Sequence, residues 1–156
     1  MRRRWKIECL LGLLLLGMSA APAFAGDSLY GRVTGVQSAS VVVFEAGEER
    51  YEVRLIGIDT PKAGSVAEAG RKLLADLVLG KSARIRFEGR AANGEMVSRL
   101  FTDDPVLGIK DLGLELVKAG LAARQKDFDY KYGELSAAEN EARSAKRGLW
   151  ASATPQ

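Results

Sequence analysis

Val53-Arg54-Leu55-Ile56-Gly57-Ile58-Asp59-Thr60-Pro61 reads as a hydrophobic strand that stops in a polar turn. Val53, Leu55, Ile56 and Ile58 supply apolar, largely β-branched bulk, and Asp59-Thr60-Pro61 is a breaker. Pro61 disfavours the α-region for Thr60, so the Thr60 carbonyl and the Asp59 carboxylate can point to one side. That is an oxygen pair suited to a hard cation. Arg54 is a cation set inside the apolar run and calls for a partner, for which Asp59 at the end of the same strand is expected.

Upstream, Leu29 to Phe44 holds two β-type runs around a small polar turn, and Ala46-Gly47-Glu48 turns the chain into Arg50 to Ile58. Three consecutive strands with short connections make an antiparallel meander. Downstream, Ser65-Val66-Ala67-Glu68 has the pattern of a capping box, and Val66, Leu73, Leu74, Leu77 and Val78 recur at helical spacing up to Gly80. From Lys81 to Glu88 the sequence alternates, with Ala83, Ile85 and Phe87 on one face and Arg84, Arg86 and Glu88 on the other, which predicts a half-buried fourth strand. Asn93-Gly94 is a turn signal before a fifth strand over Met96 to Thr102. Asp111 is placed to cap a helix carrying Leu112, Leu116 and Val117 and stopped by Gly120. Ser136-Ala137-Ala138-Glu139 has the form of a second capping box, and Ala138, Ala142 and Ala145 mark a narrow helix face before Gly148. Five short strands with a helix between the third and fourth predict an α+β fold: a five-stranded oligonucleotide/oligosaccharide-binding (OB-fold) barrel with about three helices.

Residues 1–25 read as a signal peptide. Arg2, Arg3, Arg4 and Lys6 form a positive start, Leu10 to Met18 an apolar core, and Ala23-Phe24-Ala25 a small-x-small cleavage site. The apolar core is shorter than the ~20 residues needed to span a bilayer. No membrane span is therefore expected once the leader is removed. The remainder divides into one domain over 26–151 and a short polar tail over 152–156. Subtracting the leader's four Lys/Arg and one Glu from totals of 23 and 20 leaves 19 charges of each sign. A balanced domain lacks the overall positive field of a strong non-specific nucleic-acid binder, although charge can still be segregated by face. The one cysteine, Cys9, lies in the leader, so the domain must stand on its core without a disulfide. With no histidine in the chain, His-based acid–base catalysis and His-ligated zinc are excluded.

The stretch from Val53 to Pro61, the glycine-ended helix that follows it, the separate element Val117-Lys118-Ala119-Gly120-Leu121-Ala122 and the closing Gly148-Leu149-Trp150 together resemble the staphylococcal nuclease (thermonuclease-like) family. They appear in the family's order over roughly Leu29 to Ala151. The resemblance implies the same OB barrel. It also implies hydrolysis of phosphodiester bonds in DNA and RNA with one Ca²⁺, an acidic residue acting on the attacking water, and two arginines on the phosphate. The family places its first metal carboxylate in an Asp-Gly-Asp-Thr turn, matched here by Gln37-Ser38-Ala39-Ser40, with Ala39 in the ligand's place. The pattern Arg-x-x-x-x-Asp-Thr-Pro-Glu is kept in Arg54, Asp59, Thr60 and Pro61 and ends in Lys62, a cation where the family has its general base. Tyr-Gly-Arg before the fifth strand is matched by Asn93-Gly94-Glu95, an acid where the family has its second phosphate arginine. Arg54 is thus the catalytic position retained, Lys62 and Glu95 are positions substituted, and Asp59 and Thr60 form a vestigial metal pair.

Ca²⁺ takes about six to eight oxygen ligands, and losing a general base costs roughly 10²–10⁴ in rate. The expectation is therefore an exported domain, periplasmic or extracellular, without efficient Ca²⁺-dependent hydrolysis, serving as a binding or interaction module. No cofactor is expected. The alternative is an active or weak endonuclease on DNA or RNA that uses Ca²⁺ with substitute ligands such as Glu95, Asp103 or Asp104. The expected state is a monomer, with weak nucleic acid or a cell-envelope protein as the candidate partner. Arg84, Arg86 and Arg90, interleaved with Glu88, read as a solvated strand face. Phe128, Tyr130 and Tyr132, beside Asp127, Asp129 and Glu134, are expected to pack under the last helix.

Overall fold

A computed structural model describes residues 28–106 and 108–151. The signal peptide read in residues 1–25 and the tail 152–156 lie outside the described residues. The chain forms strands β1 (Ser28–Val36), β2 (Val41–Ala46), β3 (Glu49–Leu55) and β4 (Ile58–Asp59), then helix α1 (Ser65–Val78). There follow β5 (Ser82–Arg90), β6 (Met96–Thr102), α2 (Leu112–Lys118), β7 (Ala123–Arg124), α3 (Glu134–Ser144) and a 3₁₀ turn over Gly148–Trp150. Five of the strands close a barrel in the order β1-β2-β3-β6-β5.

The meander and the alternating strands form as predicted. Antiparallel pairing joins β1 to β2 and β2 to β3, while β5 closes on both β1 and β6. The seam between β3 and β6 is parallel, with Val53 opposite Met96 and Leu55 opposite Ser98. Alternation sends Val33, Val42, Phe44, Val53, Ile85 and Leu100 inward, where they are fully buried. Leu74 and Val78 of α1 and Leu112, Leu116 and Val117 of α2 join the same core, as does Leu135 of α3. This is the five-stranded α+β barrel expected from the sequence.

The deciding stretch departs from its prediction in one respect, because it is two strands rather than one. The chain leaves β3 at Leu55, turns at Ile56-Gly57, and only then makes β4, which pairs with β7 instead of the barrel. Gly57 has φ of 79°, a region that favours glycine, and a Cβ there would lie 2.2 Å from the Phe128 ring. The glycine therefore both breaks the strand and seats Phe128.

Neither capping box forms. Helix α1 is preceded by Gly64, with no side-chain cap, and Ser65 is already helical. Ser136 lies inside α3, which starts at Glu134. The cap of α3 comes from outside it: Asp129 accepts hydrogen bonds from the amides of Leu135 and Ser136 and from the Ser136 hydroxyl. Burial pushes the Asp129 carboxyl up, but these bonds and the Tyr130 amide hold it below the usual carboxylate value. The predicted cap of α2 does form, with the Leu114 amide donating to Asp111 at 3.0 Å.

Candidate functional site

The turn between β1 and β2, the end of β3, β4 with the Thr60-Pro61-Lys62 turn, and the first turns of α1 surround a cleft of about 340 Å³. Each wall has a local cause. The Ser38 and Gln37 amides both donate to the Val41 carbonyl, which makes the β1–β2 connection tight, and the Leu55 amide donates to the Ser40 carbonyl, which ties it to β3. Pro61 ends β4, and Asp59 is held from across the small sheet by Gln125, whose side-chain amide donates to Oδ1 at 3.2 Å.

Arg54, Asp59, Thr60, Lys62 and Ala39 all line this one cleft, so the residues singled out in the sequence are brought together. Glu95 reaches it through Arg54. The Arg54 Nε and Nη2 both lie 2.5 Å from the Glu95 carboxylate, a pair in which Glu95 is 12 % exposed and Arg54 43 %. The Arg54–Asp59 pairing expected from the sequence is thus replaced. The parallel seam sets Arg54 opposite Val97, two residues beyond Glu95, and so brings a charge from a distant part of the chain to the guanidinium. That contact is set by barrel closure, and strand spacing within the stretch does not reveal it.

Ala39 is buried, and a Cβ on Gly70 of α1 would come within 2.8 Å of its own Cβ. The turn is therefore pressed against the helix at this position. The Thr60 hydroxyl donates to the Ser40 Oγ at 3.1 Å. Lys62 is exposed and has no ion-pair partner among the described residues. Sequence reasoning missed Glu68 and Arg71, which also line the cleft and pair with each other at 3.2 Å. Their helical spacing of three residues was the available signal, since it sets both on one face of α1. Asp103 and Asp104 lie beyond β6 and do not line the cleft.

A model of the staphylococcal nuclease homologue family matches residues 52–152, well over half of the chain. This chain belongs to that family. It is 27% identical over 143 residues to an uncharacterized endonuclease of Escherichia coli O157:H7, covering 91% of this chain and 90% of that one. To an uncharacterized endonuclease of Haemophilus influenzae it is 28% identical over 150 residues, covering 95% and 81%. A probable staphylococcal-like nuclease of Oryza sativa subsp. japonica is 33% identical over 108 residues, but the match spans 69% of this chain and only 28% of that protein.

The family's Ca²⁺ poses a test of fit. Asp59 and Glu68 are the carboxylates in the cleft, and Glu68 is already bonded to Arg71. Ala39 brings no oxygen, Lys62 brings a positive charge, and Glu95 is committed to Arg54. Among the described residues, no three Asp, Glu, His or Cys side chains converge as a metal site. Against a demand for about six to eight oxygens, the donor set does not fit the ion.

The aromatic trio divides. Phe128 packs at Gly57 and Tyr130 is buried, whereas Tyr132 is 78% exposed and does not pack under α3 as expected. The Arg99 guanidinium lies 3.7 Å from the centre of the Tyr130 ring and 2.7 Å from Asp111. Burial, then the Asp111 charge, push the Tyr130 phenol far above its usual value, so its hydroxyl stays protonated and faces the Asp111 carboxylate.

Proposed function

We propose that this chain is an exported staphylococcal nuclease-like domain, periplasmic or extracellular, that lacks efficient Ca²⁺-dependent phosphodiester hydrolysis and acts as a binding or interaction module. The observation that carries this reading is the Arg54–Glu95 pair: the guanidinium that the family resemblance would set on the phosphate is held by a carboxylate at 2.5 Å. Lys62 in the same cleft places a cation where a water-activating carboxylate is needed.

A second reading, a weak metal-dependent endonuclease on DNA or RNA, draws on the relatives named endonucleases and on Asp59 and Glu68 sharing the cleft. The test is cleavage of single-stranded DNA by the purified protein with and without millimolar Ca²⁺. The expected result is no Ca²⁺-dependent cleavage and no Ca²⁺-induced rise in melting temperature; binding at 100 times its dissociation constant would add about 2.7 kcal/mol of stability. Ca²⁺-dependent cleavage abolished by Arg54→Ala would overturn the proposal in favour of the second reading.

A further inference from the structure

We infer that the cavity between β5, β6 and the Phe128–Glu134 loop is a binding site for a neutral saccharide chain. The inference goes beyond the proposed function and does not depend on it, because this cavity shares no residue with the motif cleft. It holds about 390 Å³, against about 340 Å³ for the cleft, and so falls within the roughly 300–1,000 Å³ of small-ligand sites. One wall is the outward-facing set Arg86, Glu88 and Arg99, since the neighbouring Ile85 and Leu100 point inward and are buried. The loop makes the other wall. It is fixed at one end by Phe128 against Gly57 and near the other by Asp129, which accepts from the Leu135 and Ser136 amides of α3.

Every charge that lines the cavity has a local counterpart. Arg86 holds Glu88 at 2.8 Å, Arg99 holds Asp111 at 2.7 Å, and the Asp129 carboxylate is spent on the start of α3. Glu134 accepts the Tyr132 amide, and the Lys131 ammonium lies 5.3 Å from the centre of the Tyr132 ring. The lining charges also cancel in number, with Arg86, Arg99 and Lys131 against Glu88, Asp129 and Glu134. An anion or a cation would therefore have to displace one of these partners or face a like charge. An organic cation meets a second obstacle, because Arg99 already covers the Tyr130 ring at 3.7 Å and Lys131 one side of Tyr132.

What the pairs leave is hydrogen-bonding capacity without net charge. Arg86 places Nε and Nη2 on the same oxygen, Glu88 Oε1, so Arg86 Nη1 and Glu88 Oε2 keep a free donor and a free acceptor among the described residues. Glu134 uses only Oε2, which leaves Oε1 as a second acceptor. A sugar hydroxyl both donates and accepts, and so serves both kinds of group. Beside them stands Tyr132, 78% exposed, a flat apolar ring suited to the C–H face of a pyranose. A ring beside paired donors and acceptors of cancelling charge selects a neutral, hydroxyl-rich ligand.

The test is isothermal titration calorimetry of the purified full chain with two neutral probes, chitotetraose and cellotetraose, at low and high salt. Wild type is expected to bind at least one of them with an affinity that salt does not change, since a neutral ligand has no charge to screen. Tyr132→Ala should weaken binding about tenfold and Tyr132→Phe should leave it unchanged, because the ring face makes the contact. Glu88→Gln should weaken it about fivefold. Tyr132 and Glu88 are exposed, so these variants keep the fold, which circular dichroism verifies. Tighter binding of chitotetraose would assign the site to acetamido sugars, and equal binding to the pyranose chain itself; both support the inference. It would be overturned by wild type that binds neither probe at millimolar concentration, by Tyr132→Ala that binds as wild type does, by choline or inorganic phosphate displacing the bound sugar, or by a loss in Lys62→Ala that Tyr132→Ala does not show, which would put the sugar in the cleft.

Discussion

Replacing Glu95 by Gln should release Arg54 and make the cleft a better anion site. In the folded protein Arg54 presents Nε and Nη2 to one carboxylate oxygen at 2.5 Å. With Glu95 counted, the charged groups around the cleft cancel: Arg54, Lys62 and Arg71 against Asp59, Glu68 and Glu95. Removing one negative charge about 4 Å from a bound anion is worth about 1 kcal/mol in water and about 4 kcal/mol at an effective dielectric of 20. Arg54 is 43% exposed, so screening moves the value toward the lower end. About 1.4 kcal/mol, or tenfold in affinity, is expected. The opposite sign is expected for stability, because losing a half-exposed pair costs up to about 1 kcal/mol. Calorimetric titration with inorganic phosphate at low salt, beside a thermal melt, reads both. Phosphate affinity that is unchanged or weaker, with the fold intact, would refute the idea that Glu95 occupies the guanidinium in place of a phosphate. Raising the salt should shrink the gain.

Asp111→Ala removes the α2 cap and leaves Arg99 half-buried without its carboxylate, so urea unfolding should show a loss of about 4 kcal/mol, with a smaller loss for Asp111→Asn. Asp129→Ala removes the cap of α3 and should cost about 1–2 kcal/mol at neutral pH. Because the fold lowers the Asp129 pKa, its contribution is complete above the ordinary value of 3.8 and is lost as pH falls through the folded value. Wild type and variant should therefore converge in acid, and the same denaturation series at several pH values checks it. Ala39→Asp places a carboxylate at a buried position against Gly70, and a loss of about 2 kcal/mol is expected in thermal or urea melts, whereas Lys62→Glu at the exposed end of the cleft should be nearly neutral.

Much of the barrel was legible because its strands carry period-two alternation, and the Met96–Thr102 strand has the predicted bounds. The α1 and α2 helices were legible from apolar periodicity and, for α2, from Asp111. The helix starts misled where a local pattern competed with a distant group: Ser136 fits a capping box, yet Asp129 takes the amides of Leu135 and Ser136 and the helix already begins at Glu134. Gly57 was readable as a breaker in retrospect, but only the position of Phe128 shows why a residue without a Cβ sits there. For the cleft, the fold brings the motif residues to one cavity, while Arg54 takes Glu95 in place of the expected Asp59. A window along one strand cannot report a charge delivered by a parallel neighbour some forty positions later.

The same closure governs the order in which the molecule can assemble. β1 and β2 form a hairpin as soon as both exist, but the other neighbour of β1 is β5, and β3 waits for β6. A parallel seam cannot be made by a tight turn, so its loop entropy falls on the folding barrier, and the barrel should fold slowly and late rather than strand by strand. Until then the β1 edge that begins at Ser28 has open amides and carbonyls, the kind of edge that recruits another copy. Arg32 on that edge and Arg84 on its eventual neighbour set two cations along the joint, so unfinished chains repel each other there while in the finished one β5 pairs the edge.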